Sequence, residues 1–174
     1  GPGKVPGSVE LQGRGTPPPV GSWASPLFVF VHLPQDPIPA YQFNVTSDRY
    51  GRFEVPSGVV PGIYDVGVRN LHSLRNVKRG VMISESTASL NMGTLLEGDA
   101  NGDNSINVFD CSLLASAFGS REGQSIYDAR ADLNDNGVVD IFDFVLLAGN
   151  YGLQGDRVQA SLSAQGVASL RLSD

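Results

Sequence analysis

Hydrophobic and polar residues alternate in short runs along the first half of the chain. The run PLFVFVHLP around Phe30, the run YQFNV beginning at Tyr41 and the alternating segment from Ile63 to Val68 are typical of β-strands. After about Gly98 the period changes, and two apolar segments follow in which hydrophobic residues recur every three to four positions. The pattern therefore predicts strands before Gly98 and short helices after it.

An internal repeat with a period of 33 residues lies in the second half. The stretch DANGDNSINVFDCSLLASAFG, from Asp99, aligns with DLNDNGVVDIFDFVLLAGNYG, from Asp132. In both copies, positions 1, 3, 5, 9 and 12 of a twelve-residue loop carry side-chain oxygen. These residues are Asp99, Asn101, Asp103, Asn107 and Asp110 in the first loop, and Asp132, Asn134, Asn136, Asp140 and Asp143 in the second.

This spacing of oxygen donors is the one that calcium requires. Calcium takes six to eight oxygen ligands, and a twelve-residue loop supplies them from positions 1, 3, 5, 9 and 12 and from the main-chain carbonyl of position 7. Ser105 and Val138 occupy position 7, and Asn104 and Gly137 suit the positive φ expected at position 6. We therefore predict two Ca²⁺ ions. The alternative is a pair of solvated acidic loops without metal, which the duplication disfavours.

Composition and charge narrow the function further. The 174 residues are 41% hydrophobic, enough for one domain or two small ones with a core, and 21 Gly and 11 Pro indicate many turns. The formal net charge of −6 argues against binding nucleic acid or an anionic membrane surface and suits a cation. No apolar run approaches the roughly 18 residues that span a bilayer, and the single Cys111 excludes an internal disulfide.

No catalytic motif is present in the sequence. There is no G-x-S-x-G, H-E-x-x-H or P-loop pattern, and the clustered carboxylates are assigned to metal binding. We therefore predict that the chain is not an enzyme.

Residues 97–152 resemble the dockerin family, in a type I-like form. The resemblance rests on GDANGDNSINVFD, on YDARADLNDNGVVDIFD and on the closing Gly119 and Gly152. It implies an all-α dockerin with paired EF-hand-like calcium loops that binds a cohesin domain of a scaffoldin or surface protein. It further implies an extracellular or cell-surface location in a prokaryote, where the module would anchor a secreted, carbohydrate-active protein in a cellulosome-like assembly.

The resemblance also implies which residues meet the partner. Dockerins carry specificity at loop positions 10 and 11 and later in the following helix. The corresponding residues here are Val108, Phe109, Ile141 and Phe142, with Ser116 and Gly149 later in the helices. The first four are apolar where well-known cellulosomal members have hydroxyls, and neither later position is basic. In the alternative interpretation, Phe109 and Phe142 pack against the neighbouring module or the opposite helix.

The first half contains TSDRYGRFEV and VVPGIYDVGV, which resemble the carboxypeptidase regulatory-like and collagen-adhesin B-type sandwiches. The resemblance implies an all-β Ig-like or prealbumin-like sandwich, with a hairpin between Asp48 and Gly51. The predicted organisation is therefore two small modules: a tag or linker at 1–8, an X-module-like sandwich at 9–96, the dockerin at 97–152, and a tail at 153–174 that is either a strand or a disordered terminus.

Two other functions remain open from the sequence. The repeat is a calcium-stabilised structural cap on the sandwich if no cohesin binds it. The sandwich is a carbohydrate-binding module if Trp23, Tyr41, Tyr50 and Tyr64 form a stacking platform. His32 and His72 have no Cys or His neighbour at ligand spacing, so we predict surface or strand positions for both.

Overall fold

The computed structural model describes residues 3–15 and 22–158. This part of the chain contains seven strands followed by two helices. The strands are β1 (Val5–Leu11), β2 (Pro26–His32), β3 (Pro39–Thr46), β4 (Arg52–Val55), β5 (Gly62–Arg69), β6 (Asn76–Ile83) and β7 (Leu90–Leu95), and the helices are α1 (Val108–Ala117) and α2 (Ile141–Gly149).

The strands form two sheets with a shared core. One sheet has the order β4-β1-β7, in which β1 and β7 are parallel, and the other has the order β3-β2-β5-β6. Alternate residues of β1 and β2 point inward, including Val9 and Val29, and they pack with Val66 and Leu95 in one buried cluster. This arrangement is consistent with the predicted all-β sandwich in the first half of the chain.

Two details of the sandwich differ from the sequence-based expectation. β1 begins at Val5, so residues 5–8, which were assigned to a tag or linker, belong to the sheet. Asp48 and Gly51 do form a tight turn, in which the Gly51 N–H donates to the Asp48 carbonyl at 2.9 Å. That turn joins β3 to β4, which lie in different sheets, so it links the two layers and does not close a hairpin.

The predicted all-α fold of the second half is wrong. α1 and α2 have only ten and nine residues, and the segments between them are turns and short bridges. Ser105 bridges Gln154 and Arg121 bridges Val138, so each acidic loop pairs with an extended segment that follows a helix. The physical reason is that each helix begins only at loop position 10, because the glycine and short polar residues of positions 1 to 9 favour turns.

A second buried cluster holds the loops and helices together. It contains Ile106, Leu114, Leu133 and Leu147, and it also includes Leu74 from the turn between β5 and β6 of the sandwich. The two halves therefore share part of a core and contact each other directly, and their exact boundaries stay a prediction.

The chain returns to the sandwich after α2. The Asp156 N–H donates to the Arg75 carbonyl at 2.8 Å, and an Asp156 carboxylate oxygen accepts from the Val77 N–H at 3.0 Å. Only residues 153–158 of the predicted tail are described; its remainder, 159–174, lies outside the described residues.

Candidate functional site

Loop one, residues 99–110, turns its two terminal carboxylates inward. The Asp99 carboxylate accepts hydrogen bonds from the backbone N–H groups of Asp103, at 3.0 Å, and Asn104, at 2.8 Å. The Asp110 carboxylate accepts from the N–H groups of Asn101, at 3.1 Å, and Asn107, at 2.8 Å. The structure therefore brings the first and last predicted ligands of this loop onto the same short stretch of backbone.

Loop two, residues 132–143, repeats this arrangement. The Asp132 carboxylate accepts from the N–H groups of Asn136, at 3.1 Å, and Gly137, at 2.8 Å. The Asp143 carboxylate accepts from Asn134, at 3.2 Å, and from Asp140, at 2.8 Å. The sequence repeat is therefore also a repeat of hydrogen bonds.

Loop positions 3, 5 and 9 are fixed by local turns. In each case the side-chain oxygen accepts from the backbone N–H two residues later, which is the turn that Asn and Asp favour. The residues are Asn101, Asp103 and Asn107 in loop one, and Asn134, Asn136 and Asp140 in loop two. The residue at position 9 is also the N-cap of the next helix and forms a capping box with position 12.

The carboxylates at positions 1 and 12 carry buried charge. Asp99, Asp110, Asp132 and Asp143 are each at most 1% exposed. Among the described residues, no Lys, Arg or His forms an ion pair with any of them. Burial, together with the nearby Asp110 and Asp103, raises the pKa of Asp99 to about 6, although the Asn104 N–H and Arg69 act to lower it. Burial likewise raises the pKa of Asp143.

This charge pattern fits a bound hard cation. A buried carboxylate is costly unless a positive charge or hydrogen bonds compensate it. Here the hydrogen bonds come from backbone N–H groups and, for Asp132, also from the Tyr127 hydroxyl at 2.7 Å. Among residues 3–15 and 22–158, no three His, Cys, Asp or Glu side chains are grouped so that they could hold a metal by themselves. Amide and carbonyl oxygens must therefore complete any site, and Asn101 and Asn134 are placed to contribute.

The first residues of both helices are apolar and exposed. Val108 and Phe109 are 56% and 65% exposed, and Ile141 and Phe142 are 53% and 65% exposed. Phe109 and Phe142 are therefore not packed against the sandwich or the opposite helix. Between the helices lies an apolar groove of about 540 Å³, lined by Cys111, Leu114, Ala115, Phe118, Ile141 and Phe144.

The predicted partner-binding positions later in the helices differ from each other. The Ser116 hydroxyl donates to the Ser112 carbonyl one turn earlier, at 2.9 Å. Gly149 ends α2 and has open space where a side chain would lie. The last turns of both helices lack basic residues.

The duplicated loop, each copy leading into one short capped helix, is a distinctive arrangement. Residues 97–150 match the dockerin type I domain. The predicted resemblance to dockerins is therefore confirmed, and dockerin type I domains in general bind calcium. We call residues 97–150 the dockerin region below.

Comparison with solved structures extends the likeness to the sandwich. Two matches are a C-terminal and an N-terminal interface mutant of the type II cohesin–X-dockerin complex from Acetivibrio cellulolyticus. They are 23% and 22% identical to this chain, each with a TM-score of 0.62, and the match covers 88% of this chain and 97% of theirs. At this identity the likeness shows a shared fold. No curated protein matches the chain.

Sequence reasoning missed a buried ion cluster between the sandwich and the dockerin region. His72 is buried, in the turn between β5 and β6, and its Nδ1 lies against the buried Glu97 while its Nε2 is 3.1 Å from Asp135 Oδ1. Arg14 Nη2 is 2.5 Å from Asp135 Oδ2 and 3.8 Å from Glu97 Oε1. The prediction of a surface or strand position for His72 was wrong. The four residues of the cluster are far apart in the sequence, so no local sequence pattern predicts it.

The structure does not form the aromatic platform considered for sugar binding. Tyr64 is buried, and Trp23 and Tyr41 pack against the sandwich core. Tyr50 is more exposed, but Arg49 and Arg52 lie over its ring at 5.5 and 5.1 Å from the centroid.

His32, the second histidine, is in β2 and is also buried. In the described part of the chain, no helix is long and apolar enough to cross a membrane.

Proposed function

We propose that this chain is a non-catalytic, calcium-dependent docking module that binds a cohesin domain. The observation that carries the proposal is the duplication of one unit: a loop with two buried, inward-facing carboxylates, followed by a helix whose first residues are apolar and exposed. The fold relatives are cohesin–X-dockerin complexes, which supports a cohesin as the partner. The same similarity to dockerins supports a secreted protein with an extracellular or cell-surface role, in which the module anchors a carbohydrate-active protein.

Two Ca²⁺ ions are the proposed cofactors. The proposed ligands are Asp99, Asn101, Asp103, the Ser105 carbonyl, Asn107 and Asp110 in loop one, and Asp132, Asn134, Asn136, the Val138 carbonyl, Asp140 and Asp143 in loop two. When bound, the ions would add four positive charges to a chain whose formal net charge is −6. Because six of these ligands are aspartates that repel one another, calcium binding should contribute directly to folding.

The proposed docking surface consists of Val108, Phe109, Ile141 and Phe142, flanked by Ser116 and Gly149. Large exposed apolar residues are typical of interaction sites when they cluster, and large aromatic anchors dominate many interfaces. The loops hold these residues in place, because position 9 caps the helix and position 12 lies in its first turn. Metal loss should therefore disorder the docking surface as well as the loops.

The direct test is binding of the full chain to immobilised type I and type II cohesins, measured by biolayer interferometry with calcium and with EDTA. Both types are needed because the family match is type I, whereas the fold relatives are type II. We expect capture by at least one cohesin in calcium and its loss in EDTA. The double substitution Phe109→Ala and Phe142→Ala should weaken capture by about tenfold or more.

A matched control is available on the sandwich. Ile38 is 73% exposed and lies in the segment before β3. Ile38→Ala removes an apolar side chain that is at least as exposed as Phe109 or Phe142 and should leave capture unchanged. If neither cohesin type is captured while calcium still stabilises the fold, the structural-cap alternative replaces this proposal.

A further inference from the structure

The turn between β5 and β6, residues 70–75, contacts both calcium loops. On the side of loop one, the His72 carbonyl accepts hydrogen bonds from the N–H groups of Gly98, at 3.0 Å, and Asp99, at 2.9 Å. On the side of loop two, His72 Nε2 lies 3.1 Å from Asp135 Oδ1. One residue of the sandwich therefore touches the first ligand position of one loop and a side chain inside the other.

The sandwich holds the two loops through different positions. In loop one it binds position 6: the Arg75 N–H donates to Asn104 Oδ1 at 2.8 Å. In loop two it binds position 4: Asp135 contacts both His72 and Arg14. The equivalent positions of the opposite loop are glycines, Gly102 and Gly137.

The backbone φ angles at positions 4 and 6 show why a non-glycine residue at either position is unusual. All four residues at positions 4 and 6 have positive φ, between 53° and 82°. Glycine adopts such angles at little cost, whereas a residue with a Cβ is less favourable there. Asn104 and Asp135 therefore occupy positions where glycine would be easier for the loop, and each uses its side chain to contact the sandwich.

The loops have few direct backbone links to each other. Ile106 and Val139, at position 8, are both buried in the second core cluster. The Ile106 N–H donates to the Leu153 carbonyl, after α2, and the Val139 N–H donates to the Ser120 carbonyl, after α1. Two routes can therefore connect the loops: the apolar core within the dockerin region, and the sandwich turn.

We propose that the turn 70–75 couples the two calcium loops, with His72 as the positioning residue that links them. When loop one holds its ion, Gly98 and Asp99, whose N–H groups donate to the His72 carbonyl, would be fixed in place. A fixed His72 then holds Asp135, so loop two loses less conformational freedom when it binds its own ion. This inference rests on the proposed calcium binding and assigns the sandwich a part in it.

The test is a double-mutant cycle on the full chain, with calcium binding followed by isothermal titration calorimetry. Asp110→Asn disables loop one at position 12, so that the remaining affinity reports on loop two. Asp135→Gly removes the contacts with His72 and Arg14 without backbone strain, and it gives loop two the residue that loop one has at position 4. The four proteins are the unaltered chain, each single variant and the double variant.

We expect Asp110→Asn to weaken calcium binding by loop two at least about fivefold when Asp135 is present. In the Asp135→Gly background the same substitution should change that affinity by less than about twofold. Gln35→Gly is the matched control, because Gln35 is exposed in the turn before β3 and also has a positive φ of 65°. In that background the fivefold effect should persist.

An equal effect of Asp110→Asn in all backgrounds would overturn the inference, since the coupling would then run through the apolar core. No effect in any background would also overturn it. If the unaltered chain binds no calcium, the proposed cofactors fail and this inference fails with them. Cohesin is absent from the experiment, so a failure of coupling leaves the docking proposal intact.

Discussion

Removing the His72 side chain should strongly destabilise the chain. His72 and Glu97 are 1% and 0% exposed, so their charges interact away from water. Glu97 Oε1 also accepts from Asn70 Nδ2 at 2.6 Å, but Arg14, at 3.8 Å, is the only other cation that pairs with Glu97 among the described residues. His72→Ala would therefore leave a buried carboxylate without its nearest positive charge.

Two routes give the size of the effect. Breaking one side of a buried ion pair typically costs about 3–5 kcal/mol. Burial by itself lowers the pKa of His72, but Glu97 and Asp135 outweigh it and raise the pKa from 6.5 to about 9. By linkage, that difference corresponds to about 3 kcal/mol. Because the pKa is raised in the folded state, the stabilisation is complete below pH 6.5 and is lost as the pH rises through about 9.

The assay is urea denaturation at saturating calcium, at pH 6.5 and pH 9.5. At pH 6.5, His72→Ala should lower the free energy of unfolding by about 3–5 kcal/mol. The double substitution His72→Leu and Glu97→Leu should restore most of it, because both charges are removed together. The unfolding free energy of the unaltered chain should fall between pH 6.5 and pH 9.5. The fall should be much smaller for His72→Ala, because the variant lacks the histidine that loses its proton over this range.

His32→Ala is the control, since burial lowers the pKa of this second buried histidine, which forms no ion pair in the described residues. The His32→Ala variant should still lose stability between pH 6.5 and pH 9.5, as the unaltered chain does, whereas His72→Ala should lose much less. A cost below about 1 kcal/mol for His72→Ala, or a double variant no more stable than the single one, would refute the reasoning.

Three further outcomes follow from the structure. Leu147→Ala, at a fully buried position of α2, should lower the unfolding free energy by about 2–5 kcal/mol in urea denaturation; a loss no larger than that of an exposed Leu153→Ala would contradict the packing. Without calcium, Asp99 should add stability as the pH falls from 7 towards 4, because burial raises its folded pKa from 3.8 to about 6; in urea denaturation with EDTA, Asp99→Asn should reduce this gain, and Asp143, whose pKa burial also raises, should keep part of it. Calcium at about 100 times its dissociation constant should add about 2.7 kcal/mol per site, seen as a higher Tm in circular dichroism, and an unchanged Tm with EDTA would exclude coupling of metal binding to folding.

Local sequence signals account for much of the fold. Strand-length runs of β-branched and aromatic residues, such as PLFVFVH in β2, became strands because their period matches a half-buried sheet. The 33-residue repeat placed Asp99 and Asp110, and likewise Asp132 and Asp143, around equivalent loops. The spacing between position 9 and position 12 also carries the capping box that starts each helix.

By itself, then, the sequence determined β2, β3 and β5, the two loops and the presence of a helix beside each loop, because each depends on neighbours within about twelve residues. It did not determine that the second half is only partly helical, since the bridges Ser105–Gln154 and Arg121–Val138 join residues far apart in the chain. The cluster of Arg14, His72, Glu97 and Asp135 also required the tertiary structure. Burial and long-range pairing decide such features, and they arise only when the sandwich and the loops pack together.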